Sequence, residues 1–218
     1  MKYVICFLTL IVFINIGTAQ EFEASLAYNT IAGTSHQDDE LGTLDYKWSN
    51  GTSLGINYSF KPEVKKSGIN LSLAIGVNLS INVINYHAEA YNGNPDNISY
   101  GDLKQNLNML SFPITGKLSY KRLETSLVAG YNIVIKSRLT GKIINPGGII
   151  TNVDTDNHKT IKEPQTYLGI KEQFKVYQSE TISIKFFCAY QFYFKEVDLF
   201  LNDNRRLQSV SFGTSVSF

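Results

Sequence analysis

Three histidines, His36, His87 and His158, stand among the groups that could do acid–base or ligand chemistry. His36 lies near Asp38 and Asp39, His87 near Glu89 and Ser99, and His158 follows Asp154, Asp156 and Asn157. Such sets could serve a hydrolase or acyltransferase, where a base activates a hydroxyl and a carboxylate orients the base. The Asp154–His158 run could hold a cation, but it lacks the glycine and terminal glutamate of a calcium loop, and a solvated loop is the better reading. No HxxxH, CxxC or glycine-rich phosphate loop occurs. No catalytic residue, cofactor or metal site is therefore assigned.

A second set of charges has a structural purpose. Lys117 and Glu124 flank the dipeptide Lys121-Arg122, a spacing that makes them opposed or diagonal partners across a tight hairpin. Glu23, Lys175 and Lys185 are expected at a similar depth on neighbouring strands, completing a charge-paired plug, with Lys136 and Lys171 placed higher. That arrangement needs strands to carry it.

The strands are legible by period two. From Ile69 to Val83 every odd residue is apolar, while Asn70, Ser72, Ala74, Gly76, Asn78, Ser80 and Asn82 take the even positions. Seven further runs alternate, starting near Phe22, Ser53, Leu110, Leu123, Thr166, Thr181 and Arg206. The second is read as one strand starting near Leu44, in preference to a hairpin at Asn50-Gly51. Pro113 removes a ladder donor from the fourth. The connections alternate long and short, the longest from about Leu139 to Pro164, as expected when extracellular loops alternate with periplasmic turns. The asparagine sequons at Asn70 and Asn78 follow from the alternation itself.

The polar face of the Ile69–Val83 run carries no charge, which makes a poor aqueous surface but a good lining for a narrow barrel. Its apolar face is then expected to meet lipid. Tyr28, Tyr58, Phe60, Tyr120, Phe174, Phe192, Phe194 and Phe218 fall near strand ends, as interfacial girdles would. The expected fold is all-β, an eight-stranded antiparallel up-and-down transmembrane barrel. A soluble barrel is the structural rival.

The N-terminus joins Lys2 to an apolar run and then Gly17, Thr18 and Ala19, the pattern of a cleaved export signal over residues 1–19, leaving 20–218 as one barrel domain. Cleavage would remove Cys6 and leave Cys188 alone, so no internal disulfide is expected. A formal charge of +1 gives no nucleic-acid footprint. The last strand puts Phe212, Val216 and Phe218 on one face and resembles the C-terminal assembly signal of bacterial outer-membrane barrels.

Signal, eight strands, terminal Phe218 and the pair NMLSFPITGKLSY and LETSLVAGYNI together resemble the outer-membrane barrel family of Bacteroidetes-type bacteria, including PorT-like and OmpA-like barrels. The matching residues are Leu110, Phe112, Pro113 and Ile114 in one strand, and Ala129, Gly130 and Tyr131 in the next. The resemblance implies a fold and no activity. The expected role is structural, surface-interacting or accessory to envelope machinery, in a monomer. Its expected partners are outer-membrane lipids, the barrel-assembly machinery through the last strand, and an envelope or extracellular protein through the long loops. A lipid-modifying enzyme and a narrow pore are the alternatives.

Overall fold

The computed structural model describes residues 19–33, 37–39, 42–61, 68–91, 98–156, 165–198 and 204–218. Residues 1–18 of the expected export signal, His36, Asn157 and His158 lie outside these residues, while Ala19, the signal's expected last residue, is the first of those described. Ten strands are described: β1 (Ala19–Gly33), β2 (Gln37–Asp39), β3 (Gly42–Lys61), β4 (Ile69–Tyr91), β5 (Ile98–Tyr120), β6 (Leu123–Ile144), β7 (Ile150–Asp156), β8 (Gln165–Gln178), β9 (Ser183–Asp198) and β10 (Asn204–Ser217). Eight of them form an antiparallel ring in the order β1, β10, β9, β8, β6, β5, β4, β3, closed by β1–β3 pairing. β2 adds to β3, and β7 adds to the upper part of β6. At the seam, Phe22 and Phe218 exchange both backbone hydrogen bonds, at 3.2 and 2.8 Å.

β3 is one strand; Asn50-Gly51 is not a turn but sits beside a register shift between Lys47 and Asn50. Two segments expected as long loops are largely strand. β6 runs on to Ile144, turns through Pro146-Gly147-Gly148 and returns as β7, with Gly147 and Gly148 at φ +83° and +78°, a backbone that favours glycine. β5 has 23 residues, about twice the ~9–11 needed to cross a hydrocarbon layer.

The apolar face of the lower barrel points outward. Ile56 and Leu127 are 65% and 62% exposed, and Leu54, Leu71, Leu73, Ile81, Ile114, Ile170, Phe186 and Phe212 share that outer surface. On β6 this belt runs from Leu123 to Ile133. At ~3.4 Å per residue and a tilt of ~40°, that is roughly 26 Å, matching the ~25 Å apolar band of membrane barrels.

Above the belt the polarity inverts. Ile31, Ile84, Leu103, Leu107, Met109, Val134, Leu139, Tyr167 and Tyr193 form a buried apolar cluster inside the ring. Asp102, Lys104, Lys136, Arg138 and Lys142 face out. The expectation of a wholly polar lumen therefore holds only for the lower half. The upper half is built as a water-soluble barrel is, because the medium outside it is no longer hydrocarbon.

Lower-lumen packing relies on small residues opposite amides. Gly51, Gly55 and Gly76 pair in register with Asn82, Asn78 and Asn57, and a Cβ on each would come within about 2.1 Å of the facing amide oxygen. Gly55→Ala is expected to lose roughly 1–3 kcal/mol through overpacking. Outward-facing Gly116→Ala, whose Cβ would meet nothing within 4 Å, should be tolerated. Urea unfolding of both variants in lipid vesicles checks the contrast.

Candidate functional site

Period-two geometry sends Glu21 and Glu23 of β1, Lys117 of β5, Glu124 of β6, Lys171 of β8 and Lys185 of β9 into the lower lumen. β6 lies opposite β1 in the ring, with β5 and β8 on either side of it, so these side chains meet over the lumen as well as along the wall. Glu23 is fully buried and accepts hydrogen bonds from Lys171 at 2.9 Å, Lys117 at 3.1 Å and Lys185 at 3.3 Å. Lys185 also donates to Glu21 at 3.3 Å and to Glu124 at 3.4 Å, and Ser119 donates to Glu124 at 3.0 Å. Lys117 and Glu124, diagonal across their hairpin, approach to 3.8 Å. Three ammonium groups thus meet three carboxylates, and the group is formally neutral. Lys171 also lies 4.2 Å from the centre of the Phe187 ring, within cation–π range.

Two expected placements are corrected. Lys171 belongs to the charge cluster rather than higher up, because β8 enters the lumen so that Lys171 faces Glu23. Lys136 does not line the lumen: Asn108 pairs with Lys136 and Met109 with Val134, leaving Ile135 as an extra residue, and the bulge turns Lys136 outward. Lys175 lies opposite Lys185, half-buried at the rim of the short turns, where it lines a cavity with Glu21 and Ser217. Phe212 and Phe218 face outward on the closing strand, with Val216 half-buried beside them. Lys171 and Glu21 were the charges that sequence reasoning left out of the plug. Their signal was the odd phase of Glu21 with Glu23, and of Lys171 with Lys175.

Directly above the charges sits a cavity of about 80 Å³, lined by Ser25, Asn57, Asn78, Thr115, Gln191 and Ser211 among others. That is room enough to hold water. The buried Asn78 Oδ1 has no protein partner and gives such water an acceptor to donate to. Over the cavity, Ser53 donates to Asn29 at 3.2 Å, while Asn29 donates to Asn82 at 3.5 Å. The apolar cluster then closes the top. The lumen is filled at both ends, with a small polar gap between.

Of the three histidine sets only that of His87 lies among the described residues, and it gains Glu89 but not Ser99. His87 lies on the outer wall, with Nδ1 3.0 Å from Asp102 and Nε2 3.4 Å from Glu89. Ser99 faces the interior and donates to Asn145 at 3.3 Å, so wall separates it from His87. Asp154 is on a strand, not a loop, and takes two hydrogen bonds from Arg138 at 2.7 and 2.6 Å. That pairing holds its carboxyl below the usual carboxylate range. No group of potential metal ligands occurs among the described residues.

No family model and no curated protein sequence matches the chain. Among solved structures it is similar to Ail, the attachment invasion locus protein of Yersinia pestis, at 10% identity over 93% of this chain and 100% of that one, TM-score 0.39. It is similar to the outer membrane protease OmpT of Escherichia coli at 10% identity, 94% and 98% coverage, TM-score 0.45. For the outer membrane protein OprG of Pseudomonas aeruginosa the values are 11%, 92%, 97% and 0.41. At these identities the likeness concerns the fold alone.

Removing one member of a buried ion cluster leaves its partners uncompensated at a cost of ~3–5 kcal/mol. Glu23→Gln should accordingly lower the urea midpoint strongly, and Lys171→Met should do so as well. Lys136→Met, on the outer wall, should cost under ~0.5 kcal/mol. A Lys136 variant as damaging as the Lys171 variant would contradict the outward placement.

Proposed function

We propose that the chain is an integral outer-membrane barrel with a closed lumen, serving a structural or surface-interaction role through the part that rises above the membrane. The observation that carries this reading is the outward apolar belt of about 25 Å beneath a segment of reversed polarity. A soluble barrel would have to leave Leu54, Ile56, Leu71, Leu127 and Phe212 in water, an apolar surface far larger than soluble monomers expose. The export signal expected over residues 1–19 and the closing strand with Phe212, Val216 and Phe218 agree with that destination. An accessory role in envelope machinery is the finer proposal that the PorT-like resemblance adds.

The pore reading is weaker, because the ion cluster and the apolar cluster each fill the cross-section. The enzyme reading has the His87–Asp102 pair in its favour, but Ser99 does not share its side of the wall.

Envelope fractionation followed by electrophoresis with and without boiling tests the assignment. The protein should fractionate with the outer membrane and migrate faster unboiled, as a closed barrel resists detergent. Soluble material with one mobility would sink it. In planar bilayers the folded protein should give no steady conductance, and sustained open channels would favour the pore.

A further inference from the structure

The belt ends on β6 at Ile133, the bulge residue Ile135 stands just above it, and the next outward residues are Lys136 and Arg138. On β5, Asn108 lies opposite Lys136, Asn106 opposite Arg138, and Lys104 opposite Thr140, all on the outer face. A patch of three cations and two amides therefore sits immediately above the belt. Arg138 alone of the three cations has an acidic partner, Asp154 from β7; Asp156 faces it from the same strand. Lys104 and Lys136 make no ion pair among the described residues. Asp102, the nearest acid on β5, is engaged by His87.

The bulge at Ile135 is what builds this patch. Without the extra residue, Lys136 and Arg138 would enter the apolar interior, and Ser137 and Leu139 would face out. The backbone is irregular here so that cations, not apolar side chains, stand at the height where hydrocarbon gives way to headgroups.

We infer that this patch, through Lys104 and Lys136 with Arg138 between them, binds the phosphate of an anionic lipid in the outer leaflet. The inference rests on the outer-membrane reading above, since only a bilayer around the belt would hold headgroups at this level. The chemistry fits: ammonium and guanidinium groups attract a phosphate, and Asn106 and Asn108 can donate amide hydrogen bonds to its oxygens or to a sugar hydroxyl. Cations near an anionic lipid surface each favour association about fivefold.

The full folded chain in uncharged detergent, titrated with lipid A and read by native mass spectrometry, provides the test. Lys104→Gln with Lys136→Gln is compared with Lys121→Gln plus Arg122→Gln, which removes the same charge from the periplasmic turn. The first pair should weaken lipid A binding by about tenfold or more, and the second by less than twofold. Dephosphorylated lipid A should bind wild type no better than it binds the first pair. Equal loss in both pairs, no loss in either, or undiminished binding of the dephosphorylated lipid would overturn the inference. All proteins are first checked for heat-dependent mobility and insertion into phosphatidylcholine vesicles. Wild type that fails to insert removes the membrane reading and this inference with it, whereas inserted protein indifferent to the phosphate removes the inference alone.

Discussion

A strand in a closed barrel has one face toward the interior and one toward the surroundings, and here the surroundings change along the strand. From Leu123 to Ile133 on β6 the outside favours apolar side chains, whereas from Lys136 upward it favours charges. The interior must respond in the opposite sense, since a narrow ring has to be filled by side chains at every level. Amides, hydroxyls and paired charges can fill it where the apolar residues are spent on the outside. Higher up the apolar residues turn inward and pack. Everything distinctive about this wall follows from fitting that inversion into strands of about 20 residues.

β5 and β6 meet the inversion differently. On β5 the backbone keeps its alternation throughout, with Leu103, Leu107, Met109, Ser111, Thr115 and Lys117 all inward, and the sequence changes phase between Met109 and Leu110. On β6 the apolar phase in the sequence never breaks, from Ile133 through Leu139 to Ile143. The backbone slips by one residue at Ile135 and moves that phase from the outside to the inside. Adjacent strands thus reach the same polarity profile, one through composition and the other through a bulge.

This difference decides how much was legible from the amino-acid sequence. The eight wall strands, their antiparallel order and the lipid-facing phase below the rim are period-two signals, and they could be read directly. So could the hairpin diagonal of Lys117 and Glu124. Lys136 could not, because a bulge changes which face a residue occupies without marking the alternation. The upper β5 segment was hidden for another reason: Leu103, Gln105 and Leu107 alternate with Asp102, Lys104 and Asn106, and beside the Asn-Pro-Asp of the preceding connection that run has the composition of a polar loop. Lys171 was misplaced because depth in a barrel depends on stagger between strands, which no single strand records.

The charge cluster addresses what alternation cannot, namely which register closes the ring. A slip of two residues between β1 and β10 would keep every face correct, and Ser209, Ser211, Ser215 and Ser217 would present much the same interior surface, with the close Ala27–Gly213 pairing the one packing contact to object. It would, however, carry Glu23 about 7 Å along the seam, beyond the 2.9–3.3 Å contacts with Lys117, Lys171 and Lys185. Those lysines belong to β5, β8 and β9, strands that follow β1 in the chain, so their positions are set by their own hairpins. The first strand therefore meets a fixed triangle of ammonium groups when the ring closes. A slip one way empties that centre of carboxylate, and a slip the other way puts Glu21 there while stranding Glu23 about 7 Å away, so only the observed register keeps both β1 carboxylates paired; the buried ions are thus a determinant of register more than a source of stability.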